Sequence, residues 1–211
     1  LKNNKQMVVL DRPNPLGVIM EGPVTDPDQI HFIAIAPIPL RHAMTVGELA
    51  LYFNKYHYDN KVDLTVVPME NYLRTQGLSK IRIPLSPNLA SIESCYGYSF
   101  LCILSNIIPF DVGIGTKDAF QRIALPRTLA AKIDWQKLSA RLEEQGITVE
   151  KGATTGKAKI NSYSNSNSTK EELRGIKLRV NNINDFSCTA TFFSIIQFLQ
   201  DTQFTFEEYG K

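Results

Sequence analysis

The sequence predicts an α/β chain, and three observations predict it. Met7–Leu10 is a continuous apolar run of strand length, ended by Pro13 and Pro15. A helix signature begins at Thr45, and an alternating segment at 175–180 leads into an amphipathic stretch. A short apolar run without alternation reads as a buried strand of a parallel sheet covered on both faces. The composition allows a core: of 211 residues, 43% are hydrophobic and 21% charged. That length suits one domain or a little more.

The elements follow in order. After the strand at Met7–Leu10, residues 17–29 are rich in Gly, Pro and Asp and read as a loop, and 31–36 reads as a second apolar strand. Thr45-Val46-Gly47-Glu48 has the form of a capping box, Thr at the N-cap and Glu three residues on. With Val46, Leu49, Ala50 and Phe53 at helical spacing, it predicts a helix over 46–56. A strand is expected over 62–67, a short helix over 90–96 and a strand over 99–104. Gly113-Ile114-Gly115 reads as a turn. Asp134 caps a helix with Trp135, Leu138 and Leu142 on one face and Gly146 as its stop. Residues 150–169, rich in Gly, Lys, Ser and Asn, read as an exposed, mobile loop. A half-exposed strand over 175–180 precedes a helix capped by Asn184 or Asp185 and running to about Gln200. Phe186, Ala190, Phe193 and Gln197 form its stripe, and 203–206 reads as a final edge strand.

Several function classes lose support. Lys plus Arg is 23 and Asp plus Glu is 21, a net charge of +2. That balance gives no support to a nucleic-acid partner, which needs a concentrated basic face. No apolar run has the length of a membrane span. Phosphate-loop, dinucleotide and zinc-protease motifs are absent, and no cofactor is expected. His31, His42 and His57 are too scattered for a metal motif. Cys95, Cys102 and Cys188 allow one bridge with a free thiol, or three thiols acting as small core residues. Glu70, Glu93 and Asp111 are candidate acids that no spacing pairs. The chain opens at Leu1 with no signal peptide, which reads as a piece of something longer or a processed mature protein.

Two segments stand out. One is Asp11-Arg12-Pro13-Asn14-Pro15-Leu16-Gly17 with Glu21-Gly22-Pro23; the other is Ile38-Pro39-Leu40-Arg41-His42-Ala43-Met44-Thr45 with Gly47-Glu48-Leu49. Each puts an Arg in a proline-stiffened loop beside an amide or imidazole. Such hardware suits sugar hydroxyls or carboxylates, and it equally suits a structural Asp–Arg pair that holds a loop.

These segments, with Asp63-Leu64-Thr65-Val66-Val67-Pro68-Met69 and Ser86-Pro87-Asn88, resemble the bacterial exo-β-N-acetylmuramidases. These are peptidoglycan-recycling glycosidases long known only as a domain of unknown function. The resemblance implies a Rossmann-like first domain, a smaller mixed α+β second domain and a site in the cleft between them. It implies residues 1–59 as the tail of the first domain and 60–211 as the second. It also implies a muramic-acid sugar of peptidoglycan as ligand, and a periplasmic or secreted location. Asp11, Arg12, Asn14, Glu21, Arg41, His42 and Asn88 become the substrate-binding candidates, with Arg41 and His42 at the cleft mouth. The glutamate held to be catalytic in the family lies upstream of the Asp-Arg-Pro-Asn-Pro stretch, so the resemblance implies that its counterpart is absent here and leaves the catalytic residue unassigned.

The departures from the family pattern are specific. Ile103 stands where the family carries Glu, and Ile114 where it carries Arg. Ala119-Phe120-Gln121 replaces Pro-Phe-Glu, Ala43 replaces a Gly, and Asn71-Tyr72 stands in place of Trp. Replacing a charged pair by apolar groups can keep a fold stable while abolishing its site. Two readings follow: a divergent relative or fragment of an exo-acting muramidase, inactive as given, or a non-catalytic protein that binds a cell-wall sugar or a partner through the same cleft.

Overall fold

The computed structural model describes residues 5–32, 34–57, 61–76, 85–89, 91–107, 109–150 and 172–202. The chain forms two compact units, Leu1–Arg82 and Ile83–Lys211. Strand pairing shapes the first unit: Leu64–Val67 joins Met7–Leu10 in one sheet and ties the intervening chain to it.

In the first unit β1 (Met7–Leu10) and β4 (Leu64–Val67) pair in parallel, Met7 opposite Leu64 and Leu10 opposite Val67. Between them run β2 (Glu21–Val24) and β3 (Pro39–Arg41), an antiparallel pair, and helix α1 (Val46–Tyr52). The parallel pairing expected for β1 is present, but its burial on both faces is not. Val66 faces Gly47 of α1, so alternation turns Val8, Leu10 and Val67 to the opposite face. All three are exposed there, Leu10 to 68%.

Among the described residues of 31–36 no strand forms. Strand β2 arises instead inside the stretch read as a loop, followed by a 3-10 turn at Pro27–Gln29 that Asp26 caps. Helix α1 starts as its capping box predicts, and a π-helical turn, Phe53–His57, carries the chain one residue past the expected end.

The second unit holds a sheet of β5 (Arg122–Pro126), β7 (Leu173–Val180) and β6 (Ile147–Glu150), antiparallel in the order β5-β7-β6. Helices α2 (Ile92–Leu104) and α4 (Trp135–Glu144) pack on it, α5 (Cys188–Asp201) packs on those two helices, and α3 (Arg127–Ala130) is a single turn after β5. Residues 99–104 are the second half of α2 rather than a strand. Phe100, Leu101 and Leu104 are buried on the side that meets β7 and α5. Gly97 permits this, because a Cβ there would strike the Phe120 carbonyl.

Helix α4 is capped by Asp134, with Leu138 and Leu142 buried and Gly146 at φ +81° just after it. Helix α5 is capped by Ser187, because Asn182 and Asp185 are spent on a preceding turn. Its buried stripe is Cys188, Thr191, Ile195, Phe198 and Leu199, and Phe193 faces solvent. All three cysteines are free thiols. Apart from Ala36 and Ala43, every buried apolar side chain among the described residues belongs to the second unit. The loop expected at 150–169 lies outside the described residues save Glu150, and the strand expected at 203–206 lies wholly outside them. No helix among the described residues is long and apolar enough to cross a membrane.

Candidate functional site

The first unit gathers six of the seven predicted site residues around one turn, His42–Thr45, between β3 and α1. Asp11 leaves the C-terminal end of β1 and grips that turn. One carboxylate oxygen accepts from the Gly47 N–H (2.7 Å) and the Arg12 N–H (2.9 Å); the other accepts from the Thr45 hydroxyl (3.0 Å). Gly47 must lack a side chain, since a Cβ would lie 2.8 Å from the Asp11 carboxyl carbon. Thr45 completes a capping box with Glu48, whose Oε2 accepts from the Thr45 N–H at 2.8 Å.

Asn14 braces the same turn. Its Nδ2 donates to the Met44 carbonyl (3.0 Å) and its Oδ1 accepts from the Leu16 N–H (2.9 Å). Arg41 is not at an open mouth. Its side chain is 1% exposed, with Nη1 on Glu21 Oε1 at 2.7 Å and Nε on the Leu16 carbonyl at 2.9 Å. The Arg41–Glu21 pair thus realises the structural alternative, with Glu21 in place of an aspartate.

His42 and Arg12 are different. Met44 N–H donates to His42 Nδ1 at 3.1 Å, so the ring proton sits on Nε2, which meets no partner among the described residues. Partial burial holds the His42 pKa below its ordinary value. The Arg12 side chain is exposed and likewise has no partner among the described residues. Ala43, the residue in place of a glycine, has φ +57°.

Arg74 escaped the sequence reading. It follows β4 and reaches back to the Ala43 carbonyl with one nitrogen and to Glu48 with another. An Arg between Pro68-Met69 and Ser86-Pro87-Asn88 was the available signal.

Asn88 belongs to the second unit, where it is exposed on a turn closed by Leu89 N–H to the Ser86 carbonyl (2.9 Å). Ile103 and Ile114, 39% and 41% exposed, are not core substitutions. Gln121 donates to Ser94 Oγ at 3.2 Å. Asp111 does find a partner: the buried Arg122 places Nε and Nη2 at 2.6 Å from its Oδ1, which also accepts from Gly113 N–H. Gly113 and Gly115 have positive φ, as a tight turn requires. Among the described residues no group of three or more His, Cys, Asp or Glu is placed to hold a metal ion.

A family model described as the exo-β-N-acetylmuramidase NamZ, N-terminal, matches residues 1–93. The peptidoglycan β-N-acetylmuramidase NamZ of Bacillus subtilis strain 168 is 31% identical over 204 residues, which cover 95% of this chain and 47% of that protein. The crystal structure of a DUF1343 family protein from Bacteroides fragilis matches with a TM-score of 0.80 at 26% identity, over 96% of this chain and 52% of that one. A second DUF1343 structure from the same species, with a TM-score of 0.61 and 24% identity over 95% and 52% of the two chains, shares the fold. The chain spans about half the length of these relatives. Their agreement with the four sequence segments supports one conclusion: the chain is related to the exo-β-N-acetylmuramidase family.

Proposed function

We propose that the chain recognises an N-acetylmuramic acid sugar of peptidoglycan without hydrolysing it as given. Similarity to a peptidoglycan β-N-acetylmuramidase supports a muramidase-related function. One observation carries the finer reading: both motif carboxylates are committed. Asp11 accepts three hydrogen bonds, from Arg12, Thr45 and Gly47, and Glu21 is paired with Arg41. A glycosidase acid must hold a proton and deliver it to the leaving oxygen, with a second carboxyl opposite. Neither residue is placed for that work, and Ile103 and Ile114 supply no charge where the family has Glu and Arg.

In this reading Arg12 and His42 Nε2–H meet the sugar, the guanidinium on a carboxylate such as the lactyl group. Asp11, Asn14, Glu21 and Arg41 shape the loops behind them. A periplasmic or secreted location is part of this proposal, supported by the similarity to a peptidoglycan enzyme.

The test pairs a chromogenic N-acetylmuramic acid glycoside with calorimetry on N-acetylmuramic acid. Binding without turnover, with affinity lowered by Arg12→Ala, supports the proposal. Turnover clearly above buffer and abolished by Asp11→Asn overturns it.

A further inference from the structure

The turn that carries His42 is gripped from two sides. Asp11, at the end of β1, holds it through Thr45 and Gly47. Arg74, from the chain that leaves β4, holds it through the Ala43 carbonyl. Its other nitrogen meets Glu48, whose second oxygen caps the Thr45 N–H.

The Ala43 carbonyl is a particular atom to hold. It shares one planar peptide unit with the Met44 N–H, and that N–H donates to His42 Nδ1. A rotation of this peptide would turn the carbonyl away from Arg74 and the N–H away from the imidazole together. Ala43 sits at φ +57°, a conformation that a residue with a Cβ leaves unless its surroundings hold it. Arg74 supplies that hold.

We propose that Arg74 is a positioning residue of the sugar site: through the Ala43–Met44 peptide it fixes His42 as the tautomer that offers Nε2–H. The ligand role of His42 rests on the reading above, and the positioning itself rests on the geometry alone. A surface ion pair with Glu48 would leave the imidazole indifferent to Arg74; a grip on the peptide would not.

Two measurements separate these roles: the 15N NMR signature of the His42 tautomer and calorimetric binding of N-acetylmuramic acid. Wild type is compared with Arg74→Met, Arg74→Lys and the double variant Arg74→Met/Ala43→Gly. Arg74→Met is expected to mix the two tautomers and weaken binding about fivefold, the scale of one lost hydrogen bond. Arg74→Lys, which can still donate to the carbonyl, and the double variant, in which glycine adopts the left-handed conformation freely, are each expected to recover part of both signals. An unchanged tautomer and affinity in Arg74→Met overturns the proposal, and so does a loss that neither rescue variant repairs. If wild type does not bind N-acetylmuramic acid, the functional reading fails and the tautomer measurement alone decides the role of Arg74.

Discussion

Glu21 and Arg41 face one another across the β2–β3 pair, and their side chains meet at 2.7 Å. The Arg41 guanidinium also closes on the Leu16 carbonyl, so it ties β2, β3 and the Asp11–Gly17 loop into one body. A charge at 1% exposure is tolerable only while its partners remain. Glu21→Ala removes the carboxylate that faces that charge and is expected to cost about 3 kcal/mol. The double variant Glu21→Met/Arg41→Met is expected to cost less than Glu21→Ala alone, because it removes both charges. Amide exchange of β2 and β3 in the three proteins checks the order.

Ala43 holds a backbone conformation that suits glycine. With φ at +57° the Cβ crowds its own peptide, at a cost of about 1 kcal/mol. Ala43→Gly is expected to recover about that much stability, offset in part by the greater freedom of glycine in the unfolded chain. A rise in the urea midpoint of first-unit resonances, with an unchanged slope, is the expected result. A fall would mean that the methyl packs usefully enough to outweigh the strain.

His42 makes stability depend on pH with a definite sign. Burial disfavours the imidazolium, so the folded pKa lies below the ordinary 6.5. As pH falls, the unfolded chain takes the proton first. Stability present above about 6.5 is therefore lost as pH drops through the lower folded value. Protonation of Nδ1 also removes the acceptor for the Met44 N–H. In His42→Asn an amide oxygen can replace that acceptor and does not titrate, so this variant is expected to lose less stability than wild type between neutral and mildly acidic pH. Parallel loss in both proteins would remove His42 as the cause.

Parts of this architecture are legible in the residues and parts are not. Thr45-Val46-Gly47-Glu48 announces α1, and Asp134 with Gly146 brackets α4, because caps are local chemistry with fixed spacing. Residues 99–104 mislead because the apolar run of five at 100–104 fits a strand or one side of a buried helix equally. Strand β5 is hidden by its ends, Arg122 and Pro126; it lies at the sheet edge, where a terminal proline is tolerated. At the site, Asp11, Asn14 and His42 announce themselves as polar groups in stiff loops. The burial of Arg41 could not be read, because its partner Glu21 lies 20 residues away in a stretch whose composition suggests a loop.

The exposed face of the β1–β4 pair carries the last prediction. Met7–Leu10 and Leu64–Val67 are almost wholly apolar, the pattern of strands covered on both sides, yet among the described residues only α1 covers them, on the Val66 side. Val8, Leu10 and Val67 form a contiguous apolar strip on the other side. Such strips bind hydrophobic dyes and promote self-association. The chain is expected to enhance the fluorescence of an anilinonaphthalene sulfonate dye and to self-associate with rising concentration. The variant Val8→Thr/Leu10→Thr is expected to diminish both, since threonine is a β-branched residue suited to a strand and puts a hydroxyl where each apolar side chain stood. Phe193→Thr, on an exposed site of the second unit, serves as the control and is expected to change them less. Equal effects from the two variants would mean that exposure anywhere on the chain matters, and not this sheet face.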